Sequence, residues 1–139
     1  MLYVQIVAPD GQVFAGDASG VRAPGVEGSF EVLTNHAPMV AAFGVGPLRV
    51  TTASGEEIFY ATSGGFLEVI NNYVTVLAET AEPASGIDVE RARAAEERAL
   101  ERLRASEDEA ERQAAEAALE RARNRVRVAM GRVGRRVDV

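Results

Sequence analysis

The sequence predicts two small domains of different class: an all-β sandwich N-terminal domain over residues 1–86, then a C-terminal α-helical hairpin over residues 87–139. Three observations carry this. All eight aromatic residues lie before residue 86, the last being Tyr73. Of the first 86 residues, 30 are large and apolar, against 11 of the last 53. The last 53 instead hold 12 alanines and most of the charge. A chain of 139 residues accommodates one ordinary domain or two small ones.

The strands follow from period-two patterning. In Leu2-Tyr3-Val4-Gln5-Ile6-Val7-Ala8 every even position is apolar, which places one face of a strand inward. Pro9-Asp10-Gly11 is a turn, because Pro sets φ and Gly accepts φ > 0. Further turn signals fall at Pro24-Gly25, Gly44 to Pro47, Ser54-Gly55, Gly64-Gly65 and Asn71-Asn72. Between them lie MVAAF, PLRVTT, EIFYAT, FLEVI and YVTVLAE, all β-rich. Asn71-Asn72 predicts a tight hairpin, since Asn tolerates left-handed geometry. Gly64-Gly65 predicts a bend in a strand; no helix follows it to make a phosphate cradle.

The helices follow from caps and charge. Asp88 is an N-cap, and helix one is expected from about Asp88 to Arg104. Ser106-Glu107-Asp108-Glu109 has the spacing of a capping box and is expected to start helix two, which runs to about Met130, where Gly131 and Gly134 loosen it. Ala92, Ala95, Ala99 and Leu103 form one stripe, and Ala115, Ala118, Ala122, Val126 and Ala129 the other. At about 0.8 kcal/mol per buried methylene, an alanine seam gives up several kcal/mol relative to leucine. The hairpin is therefore expected to be cohesive but able to leave its docking place. One feature resists a local account: Arg91 puts a cation in the first turn, where the helix dipole disfavours it.

Composition excludes several functions. There is no Cys, hence no disulfide or thiolate metal site. One His, His36, cannot alone build a triad or a metal cluster, so no catalytic and no metal residues are expected. All 15 basic residues are Arg, which removes Schiff-base and P-loop lysine chemistry. A net charge of −6 and a pI near 4.9 argue against nucleic acid as a partner. No apolar run approaches bilayer-spanning length, and Met1–Ala8 lacks a basic-then-apolar signal, so a soluble intracellular protein is expected. Charge is uneven: residues 1–86 carry net −7, 87–111 net −4, and 112–139 net +5, a docking surface for an acidic partner or a solvated helix face.

Two stretches resemble the epsilon subunit family of bacterial F-type ATP synthases. Gly25-Val-Glu-Gly-Ser-Phe-Glu-Val-Leu-Thr-Asn-His-Ala-Pro-Met39 is similar to the family's glycine-rich loop and His-Ala-Pro turn. Ser63-Gly-Gly-Phe-Leu-Glu-Val69 with Val74-Thr-Val-Leu-Ala78 is similar to its second signature. Order, spacing and length agree end to end. The chain departs from the family at Gly28-Ser29-Phe30-Glu31, where many relatives have Gly-Glu-Leu-Gly, and at Thr34, where Pro is common. The resemblance implies a rotor subunit of the central stalk that helps couple proton transport to ATP synthesis. It implies a sandwich bound to the gamma subunit and the c-subunit ring, with Gly28, Ser29, Asn35 and His36 in the contacting loop. The His36 ring is expected to brace that loop ahead of Pro38. The complex would sit on the cytoplasmic face of the bacterial inner membrane, with this chain peripheral and membrane-associated only through its partners.

Ile87-Asp88-Val89-Glu90-Arg91-Ala92 also resembles the Ile/Leu-Asp-x-x-Arg-Ala motif by which some relatives bind ATP without hydrolysing it. The resemblance adds Glu82, Arg98, Arg121 and Arg125. Arg91 and Arg98 are seven apart and Arg121 and Arg125 four apart, so each pair shares a helical face. Guanidinium forks suit phosphate oxygens, while Asp88 and Glu82 can accept from adenine or ribose. The competing reading pairs Arg91 and Arg98 with Glu90, Glu97 and Glu101 on a solvated helix. No cofactor is required; ATP is expected as a regulatory ligand. The hairpin is expected to extend toward the catalytic alpha and beta subunits and block hydrolysis, and bound ATP to oppose that. An enzyme, disfavoured by the missing Lys and Cys, and a free-standing ligand-binding sandwich with a helical oligomerisation hairpin are the other readings.

Overall fold

A computed structural model describes residues 1–131 of the chain. The described residues divide into two compact units, with the boundary between Pro83 and Ala84. The division falls three residues before the Gly86 boundary drawn from composition.

The first unit is a β-sandwich of nine strands: β1 Leu2–Ala8, β2 Gly11–Ala23, β3 Phe30–Leu33, β4 Met39–Phe43, β5 Gly46–Thr52, β6 Glu57–Thr62, β7 Gly65–Ile70, β8 Tyr73–Ala78 and β9 Ala81–Pro83. Strand order is β4-β7-β8-β1-β2-β5-β6-β9, with β3 on β2. All pairings are antiparallel except β1 with β8. Alternation does what the pattern predicts: Leu2, Val4 and Ile6 are buried. They meet Leu67, Val69, Val74 and Val76 from β7 and β8, and Val21, Val32, Leu48 and Val50 from the other layer. Fully burying one such side chain contributes about 1.5–3 kcal/mol.

Three strands were not anticipated. β2 joins the layers: it pairs with β1 through Ala18, then with β5 and β3. Its register slips opposite Ile6/Val7 and again between Ala18 and Gly20. Bulges and two interior glycines, Gly16 and Gly20, erase the period-two signal over Gly11–Ala23. β3 lies inside the stretch read as a glycine-rich loop, and β9 is only three residues long.

The turns behave as composition demands. Ile70 pairs directly with Tyr73, leaving Asn71 (φ 49°) and Asn72 (φ 65°) as a two-residue turn with both residues left-handed. Gly64-Gly65 leads into β7 and no helix. A Cβ on Gly65 would lie 2.0 Å from the Leu77 carbonyl oxygen, so the backbones there approach too closely for any side chain.

The second unit begins with a short 3-10 turn, Ala84–Gly86, and continues as α1 Val89–Ala105 and α2 Glu109–Ala129, packed as an antiparallel hairpin. Asp88 caps α1 as expected, its carboxylate accepting from the Arg91 N–H at 3.1 Å. The start of α2 differs from expectation. Its N-cap is Asp108, which accepts from the Glu111 N–H at 2.8 Å. Ser106 instead closes α1, its hydroxyl donating to the Leu103 carbonyl at 2.7 Å. That hydroxyl is engaged by the preceding helix, and a charged aspartate suits the α2 dipole better. Gly131 takes φ 75° just past the Met130 cap, the left-handed geometry of a helix stop. Gly134 lies outside the described residues.

The seam is also richer than expected. Ala92 and Ala99 of α1 and Ala115 and Ala122 of α2 are buried, but so is Leu119, which the alanine stripe omitted. Ala95, Leu103, Ala118, Val126 and Ala129 are only partly buried. Asn124 and Val128 are buried on the reverse face of α2, about half a turn away, and α2 packs on the Ala84–Gly86 turn as well as on α1.

Candidate functional site

The residues assigned to a contact loop fall in two places. Gly28 and Ser29 lie in the exposed bend before β3, and Asn35 and His36 in the turn after it. β3 has four residues, so at about 3.3 Å per residue the two groups stand more than 10 Å apart. The later turn is the better defined. The His36 N–H donates to the Leu33 carbonyl at 3.1 Å. In the tautomer with its proton on Nδ1, the His36 ring donates to the Ala37 carbonyl at 2.8 Å, a brace just ahead of Pro38. Asn35 (φ 67°) is held from outside: its N–H donates to Asn72 Oδ1 at 2.6 Å, and Asn72 Nδ2 donates to Asn35 Oδ1 at 3.2 Å. Sequence reading passed over Asn72 except as a turn former.

The nucleotide residues divide between the units. Glu82 belongs to the first, on β9 opposite Ala61. Ile87, Asp88, Arg91, Ala92, Arg98, Arg121 and Arg125 belong to the second. Ile87 and Ala92 are buried; Asp88, Arg91, Arg98 and Arg121 are exposed, and Arg125 is half-buried. One oxygen of Asp88 is already engaged by the Arg91 N–H, so the motif's acid sets the first turn on which its arginine stands.

Helical phase decides which arginines can meet. At about 100° per residue, Arg91 and Arg98 lie on one flank of the Ala92–Ala99 seam, with Arg93 and Glu96 on the other. On α2, Arg121 and Arg125 lie on one flank of the Ala115–Leu119–Ala122 seam and Arg123 on the other. Two contacts fix which flanks go together. Arg123 Nε donates to Glu96 Oε2 at 3.1 Å, and Arg93 Nη2 lies 3.9 Å from Met130 Sδ. The hairpin therefore gathers Arg91, Arg98, Arg121 and Arg125 on its opposite side. The same contacts put Arg98 level with Arg121 to Arg125, and Arg91 roughly 10 Å nearer the open end. Arg102, one turn beyond Arg98 on that flank, joins them; a search by motif had no reason to select it.

The competing ion-pair reading finds no support here. Among the described residues, the side chains of Arg91, Arg98 and Arg121 make no ion pair or hydrogen bond, with Glu90, Glu97, Glu101 or any other group. Like charges at one level raise the local potential and suit a multivalent anion. A groove on the other side of the hairpin, lined by Leu103, Glu116, Leu119, Glu120, Arg123 and Arg127, includes none of the nucleotide residues. No cluster of metal ligands occurs among the described residues, and no helix there is long and apolar enough to cross a membrane.

A β-sandwich joined to a two-helix hairpin with arginines along one side defines a small protein of the sandwich-plus-hairpin class. Comparison with known proteins makes the class specific. Residues 1–84 match the family described as ATP synthase, Delta/Epsilon chain, beta-sandwich domain, and residues 85–130 its long alpha-helix domain. The chain belongs to this family, and its curated relatives are of the epsilon type. It is 65% identical over 143 residues to the ATP synthase epsilon chain of Salinibacter ruber, covering 97% of this chain and 96% of that one. It is 48% identical over 96 residues to that of Syntrophomonas wolfei, covering 69% and 70%. In structure it resembles a chain of the Euglena gracilis mitochondrial ATP synthase OSCP/F1/c-ring assembly, with TM-score 0.80, 28% identity and coverage of 88% and 78%. A chain of the Tetrahymena thermophila central stalk and c-ring shares the fold, with TM-score 0.62, 17% identity and coverage of 92% and 96%.

Proposed function

We propose that this epsilon-type chain is a rotor subunit whose sandwich holds the central stalk and whose helical hairpin senses ATP and restrains hydrolysis. The observation that carries the regulatory part is the gathering of Arg91, Arg98, Arg121 and Arg125 on one side of the folded hairpin. A triphosphate bound there spans both helices and so favours the folded over the extended state. Guanidinium groups suit its oxygens as planar, bidentate donors. Released and extended, α1 and α2 reach the alpha and beta subunits, and the net +5 of residues 112–139 favours acidic surfaces.

An exposed apolar face supports the stalk-binding part. On the outside of the β4-β7-β8-β1 layer, Val40, Phe66, Ile70, Tyr73 and Leu77 are all at least half exposed, with Tyr3 beside them. Exposed apolar side chains gathered on one sheet face, here in two groups either side of the Glu68–Thr75 pair, mark a protein interface; the gamma subunit is the partner, and the loop residues Gly28, Ser29, Asn35 and His36 meet the c-subunit ring. The chain is then peripheral on the cytoplasmic face of a bacterial inner membrane. Calorimetry of the isolated chain tests the ATP reading: millimolar ATP raises its melting temperature, by linkage to the folded state. No rise at that concentration would return the arginines to a solvated face.

A further inference from the structure

The turn carrying His36 does not hold itself in place. Asn35 and Asn72 are 37 residues apart in sequence, and each supplies a group to the other: a backbone donor to a side-chain oxygen at 2.6 Å, and a side-chain amide to a side-chain oxygen at 3.2 Å. Both residues have positive φ, so each side chain is aimed by a left-handed backbone. Asn72 is further anchored through its own carbonyl, which accepts from the Tyr3 N–H at 2.9 Å, where β1 enters the sheet. The Tyr3 and Tyr73 rings, 5.9 Å apart, pack beside it. The Leu33–His36 turn is thus tied to the tip of the β7–β8 hairpin and to the start of β1.

We propose that Asn72 is a positioning residue for partner binding: its clasp with Asn35 fixes the His36 turn so that turn and hairpin tip meet the c-subunit ring as one rigid element. This rests on the reading of Asn35 and His36 as ring contacts. Its physical basis is preorganisation. A turn in which Leu33, Thr34 and Asn35 are exposed and His36 partly so, ordered before contact, does not lose that freedom on binding. Without the clasp the turn is closed by the His36 N–H to Leu33 carbonyl bond and braced only by the His36 ring on its neighbour, Ala37.

The left-handed backbone at Asn72 makes a clean variant available. Asn72→Gly keeps φ > 0 and removes only the side chain. Dissociation of the labelled full-length chain would be timed from the whole enzyme and from a ring-free assembly of alpha, beta and gamma. Asn72→Gly is expected to dissociate about five- to tenfold faster from the whole enzyme, the size of one or two lost hydrogen bonds, with an unchanged rate from the ring-free assembly. His36→Ala is expected to do the same, and the double variant to be no faster than either alone. The proposal is overturned if His36→Ala speeds release from the whole enzyme and Asn72→Gly does not. It is also overturned if Asn72→Gly speeds release equally from both assemblies, which marks a general loss of fold. If neither variant changes release, the ring contact of this turn is itself wrong, and the proposal falls with it.

Discussion

Glu96 and Arg123 join the two helices at 3.1 Å across one side of the hairpin, and the four arginines expected to bind nucleotide lie across the other. This relationship separates two sets of arginines that composition alone cannot distinguish. Arg123→Ala should lower the stability of the chain by no more than about 1 kcal/mol, because the pair is partly exposed. It should leave the ATP-induced rise in melting temperature intact. Arg98→Ala and Arg121→Ala should remove most of that rise with little effect on stability without ATP. Equal losses from both sides, read by calorimetry, would show that ATP does not choose between the flanks.

Leu119 is the large side chain at the centre of the α2 seam. Leu119→Ala should cost about 2 kcal/mol, toward the low end for a buried leucine because the site is 6% exposed and flanked by alanine. The loss should fall on the folded hairpin. Limited proteolysis would then cut α1 or α2 faster while leaving residues 1–83 resistant. Unchanged cutting would mean that the seam does not limit opening.

Gly65 and the Leu77 carbonyl occupy space that no Cβ can share. Gly65→Ala combines a 2.0 Å clash with a φ of 155° and should destabilise the sandwich by more than about 3 kcal/mol. Urea denaturation monitored at the tyrosines, all three of which lie in the sandwich, would measure it. A loss below 1 kcal/mol would mean that the β7–β8 backbones part easily.

Asn72→Ala should be worse than Asn72→Gly by about 1 kcal/mol, since alanine loses the clasp and also strains at φ 65°. Equal stability of the two variants in the same urea experiment would show that the turn relaxes out of its left-handed geometry.

These cases show what was legible in the sequence. Strands with clean alternation, such as Leu2–Ala8, and turns with one dominant chemistry, such as Asn71-Asn72, could be read directly. β2 could not, because a strand that crosses between layers through two bulges has no fixed inward face. The start of α2 was misplaced because Ser106 satisfies a capping pattern that the structure uses to end α1 instead. For the candidate site, the helical spacing of Arg91 with Arg98 and of Arg121 with Arg125 was visible. Which flanks meet was not, because that depends on the Glu96–Arg123 contact between residues 27 apart. The Asn35–Asn72 clasp was hidden for the same reason, with 37 residues between its partners.

The central claim is that the hairpin restrains ATP hydrolysis when extended and is permissive when folded. The most direct measurement is the hydrolysis rate of the assembled enzyme at low ATP with three forms of this chain: intact, lacking residues 87–139, and cross-linked between helices through Glu96→Cys and Arg123→Cys, whose parent side chains touch across the seam. Both altered forms should hydrolyse faster than the intact one, with the gamma contact preserved. Rates equal to the intact enzyme in both, with assembly verified, would contradict the regulatory account and leave only the rotor role.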